Sequence, residues 1–464
     1  MEQITSTEFK SELLTEARVS LGLAVPLAVA QLAQIAICVV NSVMMGLLGT
    51  QNLAAGALGV VTFFTLSFVC VGILTAGGAL AAEAFGANNI DRVSRITSQG
   101  LWLAAAVSLP AMLLLWNCDS ILPALGQEES NVLLTKSYLH ALVWGLPAVI
   151  GFFYLKYIAA AINFPQFGTV IIVVSILLNV PVNYVLMFGF LGFPALGLAG
   201  IGWGTTLVYW VSFLTSVSMI YFHPTSRNYK LFRYLHQFDK EVFFKIFLTG
   251  WPMGIQLGME LGLFTVTAML MGKLGTASLA AHEIAIQASD IFLAIPIAVS
   301  SATTARVGQM MGEKNTGDAL LAVFVNLALG VLFAFVVALG FELFASRIAA
   351  IYLDINNPDN AVAISQATFF LKLAGVYQIF YSIQYICVGA LLGLQDTHVP
   401  MLINILSFWG VGLGGGYLMG ITLGWGGIGL WYGLILAPAI SSIFLMVWFY
   451  TRISHIFDTS SIEI

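Results

Sequence analysis

The sequence predicts an all-α polytopic membrane protein. Of its 464 residues, 59% are hydrophobic and only 8% are charged, and the mean hydropathy is +0.94. A soluble protein carries about 25% charged residues. The apolar runs repeatedly exceed the roughly 20 residues that a helix needs to cross hydrocarbon. Because these runs are continuous rather than alternating, they favour transmembrane helices over a β-barrel.

Twelve apolar runs are long enough to be spans. Their expected limits are 19–44, 53–80, 96–117, 136–160, 167–189, 197–222, 246–271, 279–304, 319–343, 361–392, 397–420 and 427–450. Lysine and arginine favour the cytoplasmic side of a membrane. With a cytoplasmic N-terminus, thirteen of the seventeen cations fall on or near that side. We therefore expect a multi-pass protein of the plasma (bacterial inner) membrane with both termini in the cytoplasm.

The second half of the chain repeats the first. Residues 45–55 match residues 271–281 at an offset of 226, with eight identities in eleven positions. Because six spans return the chain to the same side, the halves are expected to be related by an axis along the membrane normal. We expect two pseudo-symmetric six-helix lobes, 1–222 and 246–464, joined by a charged cytoplasmic connector at 223–245.

Two prolines occupy matching positions of the repeat, in the leading helix of each half. These are Pro26 and Pro252. Proline inside a helix removes a backbone hydrogen bond and kinks the helix. If the lobes rock against each other, a central site is exposed to each side in turn. We expect these prolines to act as hinges.

Three carboxylates lie well inside the apolar spans, all in the second half. Placing a carboxylate in a bilayer costs roughly 2.5–3.5 kcal/mol, which indicates a function. Glu260 lies near the middle of span seven, and Glu283, Gln287 and Asp290 share one face of span eight. Glu283 is nearer the outer surface. His282 is expected to point about 100° away from Glu283 and to serve in packing.

The first half carries amides where the second half carries carboxylates. The repeat places Gln34 at the position of Glu260, and Asn41 lies two turns further along the same face. Span five adds Asn179 and Asn183. These four side chains do not titrate, so a coupling proton is expected to be carried by the second lobe. Hydrogen bonding between helices is the alternative role of the amides.

A buried carboxylate provides a simple mechanism for exchange. Low dielectric surroundings favour the neutral, protonated form of a carboxyl group. Inside a cavity the group holds either a proton or a cationic substrate, but not both well. This mutual exclusion couples the two binding events, which is the basis of antiport.

The chain resembles the multidrug and toxic compound extrusion (MATE) transporters, and the NorM type most closely. The resemblance covers nearly the whole chain and is carried by Pro26, Gln34, Asn41–Gly46, Asn179–Tyr184, Gly197–Gly204, Leu279–Ala285 and Arg306–Gly308. It implies twelve helices in two six-helix lobes that form a V. It also implies export of cationic amphiphiles driven by sodium or proton entry, and it places the family's essential glutamate of helix seven at Glu260.

The sequence departs from the family pattern at three carboxylate positions. The family's aspartate on helix one falls at Asn41, and a related branch's aspartate on helix five falls at Asn183. The helix-ten aspartate of the NorM branch falls at Tyr381, close to Gln384, and we expect both residues to line the cavity. Since Glu283 and Asp290 are added on helix eight, we expect the coupling site to have moved to helices seven and eight.

These departures affect the coupling ion and the partners. Loss of an anionic ligand at residue 381 argues against the usual sodium site, so we favour protons over sodium. We expect no cofactor, no metal centre and no nucleic-acid partner. The expected partners are a small cationic substrate and the lipid bilayer, with the protein acting as a monomer.

Three other functions compete with antiport. A lipid-linked saccharide flippase of the same superfamily would need a cationic cavity for pyrophosphate, whereas the buried charges here are acidic. A membrane-embedded enzyme is disfavoured because the sequence contains no HExxH zinc motif and no convincing serine or cysteine catalytic set. An ATP-driven pump would need a phosphate-binding loop, and no G-x-x-x-x-G-K-[ST] motif occurs.

Overall fold

The fold is helical throughout the part of the chain that the structure describes. A computed structural model describes residues 6–124, 129–222, 229–354 and 357–462, and it assigns no strand among them. Twelve helical segments there are long and apolar enough to cross a membrane, which confirms the predicted fold class. They are Lys10–Leu47, Thr50–Gly86, Ile90–Trp116, Asn131–Ala161, Gln166–Phe188, Leu198–Phe222, Lys240–Lys273, Thr276–Gly312, Thr316–Tyr352, Pro358–Gly393, His398–Thr422 and Gly427–Ile456.

Some spans combine or extend several helical segments. The helix of span one begins at Ser6, and that of span twelve ends at Ile462. Span four joins the α-helices Glu129–Leu142 and Leu146–Ala161 through the 3-10 turn Val143–Gly145, and span ten joins the 3-10 turn Pro358–Asn360 to the α-helix Ala361–Gly393. Span eleven begins as the α-helix His398–Ile405 and continues as the π-helices Leu406–Gly415 and Leu418–Thr422. A short helix, Cys118–Ala124, follows span three.

The sequence repeat is also a repeat of local geometry. Gly49 and Gly275 both precede a helix with φ of 104° and 122°, a conformation that glycine adopts without steric cost. Forty residues further along each half, Asn89 and Asn315 cap the next helix by accepting a backbone N–H three residues ahead. Each of these pairs is separated by the same 226 residues, so the two halves begin with the same helix–turn–helix–turn–helix pattern.

Packing divides the chain into two compact units. One, the N-unit, contains residues 29–258, and the other, the C-unit, contains residues 1–28 and 259–464. These units follow three-dimensional contacts, whereas the predicted lobes 1–222 and 246–464 follow the sequence repeat. Both leading helices are continuous through Pro26 and Pro252, and each changes unit a few residues after its proline. The hinge role of the two prolines stays a prediction.

Close glycine contacts explain why the first half of span seven belongs to the N-unit. Gly250 and Gly254 face span two, where a β-carbon on Gly250 would lie 1.8 Å from the Ile73 carbonyl oxygen. On span two, a β-carbon on Gly72 would lie 2.9 Å from Gly254 Cα. Small residues four apart let two membrane helices approach backbone to backbone.

The connector between the halves lies against span three. Its described part begins at residue 229, and residues 223–228 of the predicted connector lie outside the described residues. Ser94, Ser98, Gln99 and Trp102 of span three all donate side-chain hydrogen bonds to connector carbonyl groups. These bonds attach the connector to the N-unit.

The start of span one is anchored in the C-unit by a buried ion pair. Arg306 donates from Nε and Nη2 to the two carboxylate oxygens of Glu16, at 2.8 and 2.5 Å. Both side chains are about nine-tenths buried. Leu23 and Ala24 continue the contact through a small apolar cluster with spans eight and ten. Polar and apolar contacts together hold the first part of span one in this unit.

Candidate functional site

The central acidic residue of the C-unit is Glu260. It lies in the middle of the span-seven helix and is only 9% exposed. The Tyr385 hydroxyl donates to its two carboxylate oxygens at 3.1 and 3.4 Å. Among the described residues no lysine, arginine or histidine forms an ion pair with it. Glu260 is therefore a buried acid held by a neutral donor.

Tyr385 belongs to a row of three tyrosines on span ten. The ring of Tyr381 lies between those of Tyr377 and Tyr385, with centroids 4.8 and 4.9 Å away. Tyr377 and Tyr381 are each 2% exposed. Tyr381, expected from the sequence to line the cavity, instead packs within this row and supports the ring that contacts Glu260. Sequence reasoning missed Tyr385, although its spacing of four residues from Tyr381 places both on one helix face.

The other two carboxylates lie near Glu260 in the same unit. Asp290 interacts electrostatically with Glu260 and with Glu283, so it connects the two glutamates. Asp290 and Gln287 are exposed on the surface of the C-unit, and Glu283 is half-buried. The structure thus brings the three predicted carboxylates into one electrostatic cluster. Their role in ion coupling stays a prediction.

Glu283 also lines a cavity between spans seven and eight. The cavity has a volume of about 520 Å³ and contains His282 in its wall. His282 is buried, and its ring packs edge-on against the ring of Trp431 on span twelve, 5.7 Å away, as expected of a histidine that serves in packing. Neither Glu260 nor Asp290 lines the cavity. Its other lining residues are Phe264, Thr265, Ala268, Met269, Gly272, Leu279 and Ile286.

Gln384 forms part of a buried polar cluster rather than a carboxylate contact. Its Nε2 donates to Asn404 Oδ1 on span eleven at 3.2 Å, and the Ser441 hydroxyl of span twelve donates to the same oxygen. All three residues are at most 3% exposed. Asn404 and Ser441 were not predicted, because single polar residues in apolar helices give no indication of which neighbours they meet.

The N-unit brings three of the four predicted amides together. Asn183 donates to Asn41 Oδ1 at 2.9 Å and to Asn179 Oδ1 at 3.1 Å. Asn41 in turn donates to Thr205 Oγ1 at 3.4 Å. Gly204 makes room for this network, since a β-carbon there would lie 2.1 Å from Asn183 Oδ1. The network links spans one, five and six.

The fourth amide, Gln34, lies elsewhere in the N-unit. It is 8% exposed and lies close to Tyr209 of span six. Several buried amide atoms in this unit have no hydrogen-bond partner among the described residues. These are Gln34 Nε2, Gln99 Oε1, Asn179 Nδ2, Asn183 Oδ1 and Gln256 Oε1. The N-unit thus offers neutral donors and acceptors, whereas the acidic cluster lies in the C-unit.

A family model matches the chain twice. The model, described as MatE, matches residues 26–185 and 252–418. The two matches start 226 residues apart, which is the offset of the sequence repeat. Together they cover well over half of the chain.

Named relatives match over almost their full length. A probable multidrug resistance protein NorM from Synechocystis sp. is 34% identical over 440 residues, covering 95% of each chain. A protein of the same name from Synechococcus sp. is 36% identical over 421 residues, covering 91% of each.

Solved structures show the same fold. The eukaryotic MATE transporter AtDTX14 matches with a TM-score of 0.84 at 17% identity, covering 97% of this chain and 99% of that one. A mutant of the Vibrio cholerae MATE transporter VcmN matches with a TM-score of 0.85 at 16% identity, covering 96% and 98%. The family model, the relatives and the fold agree with the resemblance found in the sequence: the chain belongs to the MATE family of membrane transporters.

Proposed function

We propose that this protein is a secondary active antiporter that exports cationic or amphipathic small molecules in exchange for protons, by alternating access. The observation that carries the proposal is the environment of Glu260. Its carboxyl group is buried and accepts a hydrogen bond from a hydroxyl, and it has no cationic partner in the described chain. Glu260 is therefore free to exchange a proton for a cation. The names of the relatives, which refer to multidrug resistance, agree with a drug-like substrate.

Protons are favoured over sodium by the surroundings of Glu260. Sodium prefers several oxygen ligands, and the position at which the NorM branch supplies a helix-ten aspartate is the packed ring of Tyr381. The nearby acids, Asp290 and Glu283, extend along span eight instead. The C-unit therefore holds further proton acceptors in addition to Glu260.

Purified protein in sodium-free proteoliposomes tests the proposal. Addition of a cationic substrate should drive proton movement that is lost in Glu260→Gln. The matched control is Glu313→Gln, which removes an exposed carboxylate at the far end of span eight. Exchange that requires sodium, or that survives in Glu260→Gln, would contradict proton coupling through this residue.

We also propose a bacterial inner-membrane location with both termini in the cytoplasm, and a monomeric protein. The distribution of lysine and arginine supports the orientation. Membrane-impermeant labelling of single cysteines at Lys273 and Lys314, in intact and in opened cells, tests it. Labelling at residue 273 in intact cells, with residue 314 protected, is expected; the reverse pattern would overturn the orientation.

Neither of the two main alternatives gains support. The reported relatives are named as multidrug resistance proteins, which supports a transporter rather than an enzyme. No reported match favours a lipid-linked saccharide flippase. The charged groups that interact with Glu260 are acidic, which is unfavourable for binding pyrophosphate.

A further inference from the structure

The loop between spans five and six is apolar although it is exposed. It covers residues 189–197, and the seven consecutive residues 190–196 are all exposed. Their sequence is Phe-Leu-Gly-Phe-Pro-Ala-Leu, which contains no polar side chain. No aspartate, glutamate, lysine or arginine occurs anywhere between Lys156 and Arg227. Because loops in contact with water are polar, this composition indicates that the loop contacts an apolar medium.

Leu191 is the most unusual residue of this loop. It is 85% exposed, and its φ of 57° lies in the left-handed region. Glycine, asparagine and aspartate adopt that region more readily than leucine does. The other non-glycine residues with positive φ in the described chain are all polar: Asn88, Asn163, Lys230, Lys314 and Gln395. In water, both the backbone and the solvent would favour a different residue at position 191, so its surroundings favour an apolar side chain.

Backbone hydrogen bonds hold the loop in one conformation. The N–H groups of Leu196 and Gly197 donate to carbonyl oxygens at the end of span five, both at 3.1 Å. The N–H of Phe193 donates to the carbonyl oxygen of Phe190 at 3.2 Å, which closes a turn around the tip. A rigid loop loses little conformational entropy when its side chains become buried.

An exposed apolar stripe on span five leads into the loop. Leu177, Val180, Tyr184 and Phe188 recur at helical spacing on one face of this span, and all four are exposed. The ring of Tyr184 stacks on that of Phe190, with centroids 5.4 Å apart. An exposed apolar face of a membrane span contacts lipid chains, so continuity with it favours lipid, rather than a protein partner, as the medium around the loop.

We propose that the side chains of Phe190, Leu191 and Phe193 insert among the lipid chains just below the headgroups and anchor the ends of spans five and six there. The loop backbone stays at the level of the headgroups, because backbone polar groups are not tolerated unpaired in hydrocarbon. Aromatic side chains are enriched at this depth. The loop lies opposite the connector, on the periplasmic side in the proposed orientation. The inference goes beyond the proposed function and depends only on the fold.

Nitroxide labels on single cysteines test the insertion, in protein whose four native cysteines are replaced by alanine and which is placed in lipid nanodiscs. Oxygen concentrates among lipid chains and a nickel chelate stays in water, so their collision rates with a label report its surroundings. We expect the label at Leu191→Cys to collide more with oxygen than with the chelate, as at Leu177→Cys in the middle of span five. Gln51→Cys is the matched control, exposed at the start of span two on the same side of the membrane, where the chelate should dominate.

Two results would overturn the insertion. A label at residue 191 that is reached mainly by the nickel chelate would place the loop in water. A label that neither reagent reaches would indicate that a protein partner, such as a second copy of this chain, covers the loop.

The substitution Leu191→Asn gives opposite expectations for water and lipid. Asparagine tolerates positive φ better than leucine, so in water the change should raise the melting temperature or leave it unchanged. Among lipid chains the amide loses its hydration, so we expect a lower melting temperature in nanodiscs. Lys314→Asn is the control, since it places asparagine at another exposed residue with a φ of 59° and should not lower the melting temperature. A Leu191→Asn variant that melts no lower than wild type would contradict insertion.

Discussion

At the scale of single residues, the hydrogen bond between Tyr385 and Glu260 sets the chemistry of the acidic cluster. The carboxyl group is buried, so its one described donor has no competition from bulk water. Hydrogen bonds to charged groups contribute about 1.5–3 kcal/mol. Tyr381, packed between two other tyrosines, fixes the ring that provides this donor.

Removal of this donor should impair exchange without unfolding the protein. In Tyr385→Phe the ring contacts remain and only the hydroxyl is lost. We expect substrate-driven proton flux to fall by roughly tenfold or more, since about 1.4 kcal/mol corresponds to a factor of ten. Tyr352→Phe, at an exposed position, is the control. Equal flux in the two variants would show that Tyr385 does not position Glu260.

Gly204 is a second residue whose role depends on close approach. A β-carbon there would lie 2.1 Å from Asn183 Oδ1, so Gly204→Ala should displace the asparagine and destabilise the protein by about 1–3 kcal/mol. Gly340→Ala is the matched control, because no atom lies within 4 Å of its β-carbon. In a helix that substitution is expected to be neutral or stabilising. Thermal melting compares the two variants. Equal melting temperatures would contradict a close contact between Gly204 and Asn183.

At the scale of helices, the Glu16–Arg306 pair fixes the start of span one to span eight. The two side chains form two hydrogen bonds and are nearly excluded from solvent. Burying a charge without its partner is far more costly than burying the pair. The pair therefore holds this segment in one position, and the apolar contacts of Leu23 and Ala24 add to it.

Breaking this pair on one side should be strongly destabilising. We expect Arg306→Leu to cost about 3–5 kcal/mol because Glu16 stays buried without its partner. The double variant Glu16→Leu with Arg306→Leu should melt at a higher temperature than either single variant. The exposed pair Lys372–Glu342 is the control, where Lys372→Leu should cost about 1 kcal/mol or less. Additive effects of the two Leu substitutions would contradict direct coupling.

At the scale of the whole molecule, neutral and acidic side chains are unevenly distributed between the two units. The N-unit contributes a network of neutral amides, and the C-unit contributes three interacting carboxylates. If a cation and a proton compete for the same cluster, each must weaken the binding of the other to the same extent.

Cation binding should therefore release protons. In weakly buffered solution, adding a cationic substrate to purified protein should acidify the medium, and cation affinity should fall as the pH is lowered and the carboxyl groups become protonated. Glu260→Gln and Asp290→Asn should each reduce the proton release, whereas Glu313→Gln should not. A pH electrode or indicator dye measures the effect. Cation binding without proton release would show that the cargo does not compete with protons at the acidic cluster.

The sequence alone determined the membrane class, the twelve spans, the repeat and the isolated carboxylates. These features depend on local composition: continuous apolar runs predict spans, and a charge inside such a run is visible without a structure. The sequence repeat also extends to the turns, because Gly49 and Gly275 both adopt a positive φ before the next helix.

Tertiary structure alone decided which side chains meet. Tyr385 contacts Glu260 across 125 residues, and Arg306 contacts Glu16 across 290 residues. It also assigned residues 1–28 to the unit formed by the second half of the chain. Such contacts depend on how helices are rotated and packed against each other, and an apolar sequence that fits many partners equally well does not specify its neighbours.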